Sequence, residues 1–65
     1  MMGPAKIKRW FEKRGVAITG VATLKLTGTP VVLGYEVVTK AGKKGKLEPN
    51  AKAHDLENLR RDFVK

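Results

Sequence analysis

The spacing of residues changes at Gly15, and this change limits most strongly what the chain can fold into. Before Gly15, Ile7, Trp10, Phe11 and Arg14 recur at i, i+3, i+4 and i+7, one face of an α-helix. After it, Val16, Ile18, Ala22, Leu24 and Leu26 alternate with Ala17, Thr19, Val21, Thr23 and Lys25, the period of a half-buried strand. A helical pattern does not settle as a strand, nor the reverse. The chain must therefore hold both, and an α+β fold is expected.

The flanking residues sharpen the boundaries. Pro4 suits a first helical position, where its missing N–H would be unpaired anyway, and Gly15 suits the C-terminal cap. A helix is expected over 4–14. Gly20 interrupts the first strand pattern and marks a bulge or the close approach of another backbone. The stretch Thr27-Gly28-Thr29-Pro30 is turn chemistry, and 31–39 is valine-rich strand sequence. Val31, Leu33, Tyr35 and Val37 share one face there, and Val32, Glu36 and Val38 the other. Two strands joined by a short turn pair antiparallel.

"AGKKG" has the glycines of a second hairpin turn, and 44–48 reads as a short third strand stopped by Pro49. Asn50 is the expected N-cap of a closing helix with Ala53, Leu56, Leu59 and Phe63 on one side. The expected architecture is a two- to three-stranded antiparallel meander with an N-terminal and a C-terminal helix, in the order α-β-β-(β)-α.

At 65 residues the chain is expected to form one domain, 1–65. A domain this small buries only about 60% of its unfolded surface, which leaves little room for an enclosed active site. There is no cysteine, so no disulfide and no thiolate zinc site is expected. No apolar run approaches the roughly 20 residues that span a bilayer, and the N-terminus lacks the apolar stretch of a signal peptide. A cytoplasmic protein is expected.

The formal net charge is +8, and a compact basic domain repels itself unless a partner answers the charge. Residues 1–15 carry Lys6, Lys8, Arg9, Lys13 and Arg14 against Glu12. Residues 40–49 carry Lys40, Lys43, Lys44 and Lys46 against Glu48. Residues 16–39 are neutral, with Lys25 against Glu36. On a helical wheel Lys6, Arg9 and Lys13 line the side opposite Ile7 and Phe11, giving the first helix a basic outer stripe. Such a cationic helix also suits an anionic membrane surface, but these three turns are needed to cover the sheet.

The lysine-rich turn "KAGKKGK" is not a Walker A loop. That loop needs G-x-x-x-x-G-K-[ST], and lysine stands at 40 where the first glycine belongs, with Leu47 after Gly45-Lys46. It suits phosphate contact instead, through lysine charges and backbone N–H groups that glycine leaves accessible. The alternative is a solvated tip whose lysines discourage edge-to-edge aggregation.

Neither catalysis nor a cofactor is expected. His54 is the only histidine, and a general base also needs a cleft and a positioned partner. Neither a metal site nor a pair of catalytic carboxylates is expected. Trp10 and Phe11 fit core packing. Tyr35 has two readings: core, or, if no helix covers the face it shares with Leu33, a platform for a base.

The expected function is nucleic-acid binding, of duplex DNA rather than RNA, through phosphate contacts with little sequence preference. The candidate contacts are Lys40, Lys43, Lys44 and Lys46, then Lys6, Arg9 and Lys13, extended by Arg60, Arg61 and Tyr35. Such a protein would sit on the nucleoid. The competing expectation is an accessory or structural subunit, of a phage or mobile element for instance. It would dock an acidic protein, or form a homodimer through the second strand by way of Val32 or Val38.

Overall fold

The structure is a computed structural model that describes residues 3–65. Helix α1 (Pro4–Lys13) leads into strands β1 (Ile18–Lys25), β2 (Val32–Thr39) and β3 (Lys44–Leu47), and helix α2 (Ala53–Phe63) follows. The strands form one antiparallel sheet in the order β1-β2-β3. The architecture is thus α-β-β-β-α, with the third strand present.

Both helices share a core with one face of this sheet. Ile7 and Phe11 of α1 and Leu56 and Phe63 of α2 are buried together with Val16, Ile18, Tyr35, Val37 and Leu47. Phe11, Ile7, Ile18, Leu56 and Val37 are the largest side chains enclosed completely, and each such burial contributes about 1.5–3 kcal/mol. Phe11 packs against Phe63 with ring centroids 5.7 Å apart, which ties the two helices together. Among the described residues no helix lies on the opposite face of the sheet.

Pro4 opens α1, and Gly15 follows its C-cap at φ +81°, a conformation that glycine adopts without steric cost. The start of α2 differs from expectation. Lys52, not Asn50, is its N-cap residue, because Asp55 sits three residues on and accepts the Lys52 backbone N–H at 2.9 Å. Ala53 is exposed rather than part of the apolar side.

Two bulges change which residues face the core. Ile18 pairs with Thr39 and Gly20 with Val38, so Thr19 is an extra residue in β1. Leu24 pairs with Gly34 and Lys25 with Val32, so Leu33 is an extra residue in β2. Each insertion inverts the alternation. Val21 and Thr23 therefore face inward, opposite Val37 and Tyr35, while Ala22 and Leu24 turn to the open face. In β2 the second bulge separates Leu33 from Tyr35. Leu33 is 55% exposed and Tyr35 only 5%, and Val32 packs against the core instead.

Strand β2 is central, with β1 and β3 paired on its two sides. The strand therefore offers no free edge to a second copy, while Val38 lies on the open face of the sheet.

Candidate nucleic-acid interface

Helix α1 places its basic residues as the helical wheel requires. Ile7 and Phe11 go into the core, and Lys6, Arg9 and Lys13 stay exposed. Together with Trp10 and Arg14 they line an open basin of about 390 Å³. The Arg14 guanidinium stacks 3.8 Å from the centre of the Trp10 ring and donates to the Trp10 carbonyl at 3.1 Å. Trp10 is only half-buried, its ring set edge-on to Phe11 at 5.0 Å, so it serves both the core and the basin. Trp10 and Arg14 were not among the sequence-derived contacts. The available signal was their i, i+4 spacing, which brings the two side chains together on a helix.

The electrostatics at the start of α1 run against the helix dipole, while Lys13 in the last turn suits it. No acidic residue lies in its first turn, while Lys6 stands there at the positive end of the helix dipole. Lys6 and Arg9 are i, i+3 neighbours and Arg9 and Lys13 are i, i+4 neighbours, so like charges are stacked. Among the described residues no carboxylate lies within 4.0 Å of Lys6, Lys8, Arg9 or Lys13.

Helix α2 suits its dipole at both ends. Asp55 occupies its first turn, and Arg60 and Arg61 its last. Glu57 accepts two hydrogen bonds from Arg60 Nε at 3.0 and 3.1 Å and a further one from Nη2. Arg61 Nε lies 3.7 Å from the same carboxylate. Arg60 is thus neutralised, whereas Arg61 is looser and mostly exposed.

The bonds from Arg60 hold the Glu57 carboxyl below its usual range. Desolvation opposes this, and the charges of Arg60, Arg61 and Arg14 reinforce it. The folded value lies below the unfolded one, so the stability Glu57 contributes is complete above the ordinary carboxylate range. It is lost as pH falls through the lowered folded value. Glu57→Gln should therefore melt below the wild type at neutral pH, and the gap should close on acidification. Thermal melts of both proteins across that range check this. A gap that stays constant would mean that the charge on Glu57 is not what stabilises α2.

The lysine turn is a hairpin loop of Lys40, Ala41 and Gly42, with Gly42 at φ +87°. The Thr39 N–H donates to the Lys43 carbonyl at 2.9 Å, and the Gly42 N–H to the Thr39 carbonyl at 3.0 Å. The Lys43 N–H donates to Thr39 Oγ1 at 3.0 Å, and the Lys40 N–H to the Ala17 carbonyl at 3.0 Å. The N–H groups of Lys40, Gly42 and Lys43 are therefore used within the fold, and the expectation that this loop cradles phosphate with them is corrected. Its lysines divide as well. Lys43 Nζ donates to the Phe63 carbonyl at 2.7 Å and lies 3.4 Å from the Lys65 backbone oxygen, so it caps the negative end of α2. Lys44 and Lys46 lie opposite Val38 and Glu36, on the open face, and Lys40 is exposed in the loop.

Tyr35 is corrected too. It is enclosed by the core and lies opposite Thr23 and Leu47, so its ring offers no platform to a base. The structure thus brings Lys6, Arg9 and Lys13 together in α1 and places Lys40, Lys44 and Lys46 at β3 and its turn. The fold keeps these clusters apart: α1 covers one face of the sheet, and Lys44 and Lys46 project from the other. Lys43 and Arg60 are engaged elsewhere.

His54 is exposed, with Nε2 3.3 Å from Asp55 Oδ1. Among the described residues no cluster of three or more His, Cys, Asp or Glu could hold a metal ion, and no helix is long and apolar enough to cross a membrane. Comparison with protein-family models, curated proteins and solved structures found no match to this chain.

Proposed function

We propose that the protein binds nucleic acid, duplex DNA in preference to RNA, chiefly through phosphate contacts made by Lys6, Arg9 and Lys13. The observation that carries this reading is the contrast between the two helices. In α2 an acidic residue lies in the first turn and Glu57 pairs with the arginines. In α1 Lys6 stands at the positive end of the dipole, and Lys6, Arg9 and Lys13 stack with no carboxylate within 4.0 Å among the described residues. That arrangement costs stability in the free protein, and a row of phosphates relieves the cost.

The spacing is compatible with a duplex. From Lys6 to Lys13 the helix rises about 10 Å, close to the rise of three base pairs at about 3.4 Å each. Lysine and arginine contacts to phosphate fix position and carry no sequence information, so weak base preference is expected. Lys44 and Lys46 on the open face, with Lys40 in the adjoining turn, form a second, smaller contact for a separate stretch of nucleic acid. In a cell such binding would place the protein on the nucleoid.

A fluorescence-anisotropy titration with labelled duplex DNA, single-stranded DNA and RNA at several salt concentrations tests this. Duplex affinity should be micromolar or tighter near physiological salt. Log K should fall against log salt with a slope equivalent to about three phosphates. Binding that disappears above low salt for all three ligands would redirect the basic surface to an acidic protein.

A further inference from the structure

The two edges of the sheet are unequally protected. Edge strands invite pairing with another chain, and proteins guard them with short length, charge, proline or bulges. Strand β3 is guarded: it has four residues, Lys44-Gly45-Lys46-Leu47, of which two are lysines. Strand β1 has eight residues. The bulge at Thr19 and the charge of Lys25 guard its ends, while Gly20-Val21-Ala22-Thr23-Leu24 between them contains no charge and no proline.

We propose that the free edge of β1 pairs with the same edge of a second copy, antiparallel and centred on Ala22, to make a continuous six-stranded sheet. Three observations select this occupant and register. First, the alternation matches. Gly20, Ala22 and Leu24 lie on the open face and Val21 and Thr23 on the core face. A two-fold axis through Ala22 keeps every residue on its own side, whereas a slip of one residue sends core positions to the open face. Second, sizes complement each other. Gly20 lies opposite the partner's Leu24 and Val21 opposite the partner's Thr23, while Ala22 meets the partner's Ala22. Lys25 falls opposite the partner's Thr19, so no like charges oppose each other. Third, the chain is net neutral from 16 to 39, so two strongly basic copies meet through the segment that carries none of their surplus charge. Leu26, 49% exposed just beyond β1, comes alongside the start of the partner's β1.

The test is the molar mass of the full chain by light scattering at high micromolar concentration, at low and high salt. The wild type should show twice the chain mass at both salts, because no charges face one another across the contact, in contrast to binding of DNA. Ala22 is exposed in the free chain, so Ala22→Lys should fold normally by circular dichroism and show the single chain mass, its lysines directly opposed. Leu33→Lys, exposed but on the central strand, should remain a dimer. Ala22→Cys should oxidise to a covalent dimer, since opposed antiparallel residues have Cα atoms about 4.5–5.5 Å apart, within disulfide reach. A monomeric wild type, a dimeric Ala22→Lys variant, or no disulfide in Ala22→Cys would each overturn the proposal. So would loss of the dimer in Leu33→Lys, which would move the contact to the open face.

Discussion

Replacing Lys6 and Arg9 together by glutamate is expected to raise the melting temperature and abolish DNA binding. The two effects have one origin. Lys6 lies in the first turn of α1, three residues after the N-cap Gly3. An acidic residue there is favoured by about 0.3–1 kcal/mol through the helix dipole. The pair at 6 and 9 stays like-charged in the double variant, and a new like-charge i, i+3 pair forms between 9 and Glu12. This offsets the exchange of the Arg9–Lys13 repulsion for a glutamate four residues before Lys13. Such pairs are worth about 0.2–0.5 kcal/mol each. The dipole gain of about 0.5 kcal/mol that remains corresponds to roughly 2–4 °C in a domain of this size. Affinity for duplex DNA should fall on the order of a hundredfold at physiological salt, since two phosphate contacts become repulsions. Cations kept for solubility alone would give the stability gain without the binding loss. Thermal melts and anisotropy on the same variant separate the two accounts.

The largest loss of stability is expected from Gly34→Ala. Gly34 holds φ +155°, in a region that is essentially reserved for glycine. A Cβ built there would lie 2.5 Å from the backbone oxygen of Leu47, an atom fixed in the β2–β3 pairing rather than at the end of a flexible side chain. Strain of about 1–3 kcal/mol and overpacking of about 1–3 kcal/mol then combine. At roughly 0.05–0.15 kcal/mol per residue, a 65-residue chain has only about 3–10 kcal/mol in total. Gly34→Ala should therefore be largely unfolded, or should unfold at much lower urea concentration than the wild type. Gly20→Ala meets open space and serves as the control, with little change. If Gly34→Ala unfolded at the wild-type midpoint, the backbone approach of β3 to Gly34 would be wrong.

The order of elements was legible because helix and strand periods differ and because Pro4, Gly15 and the two turn sequences punctuate them. The register within strands was not. In 16–26 small and apolar residues occupy both alternating sets, so an inserted residue leaves a plausible pattern. Gly20 flagged a bulge, but the shift at Thr19 that turns Val21 inward and Leu24 outward depends on pairing with β2. The same blindness put Leu33 and Tyr35 on one face.

The stripe of Lys6, Arg9 and Lys13 was readable, since a helical wheel needs only local sequence. The engagement of Lys43 was not, because the Phe63 carbonyl that it bonds lies 20 residues away. The occupied N–H groups of the lysine turn became visible only with the hairpin closed over Thr39. Of the two basic clusters, the one that fits the electrostatic account best is therefore the helix, although the lysine turn is denser in sequence.

The decisive measurement is the salt dependence of duplex binding for the wild type and for Lys6→Gln/Arg9→Gln/Lys13→Gln, substitutions that keep helix propensity. If the three cations contact phosphates, the slope of log K against log salt should fall in magnitude by about 2–3, at roughly 0.9 per phosphate. An unchanged slope with retained affinity would contradict α1 as the site of contact.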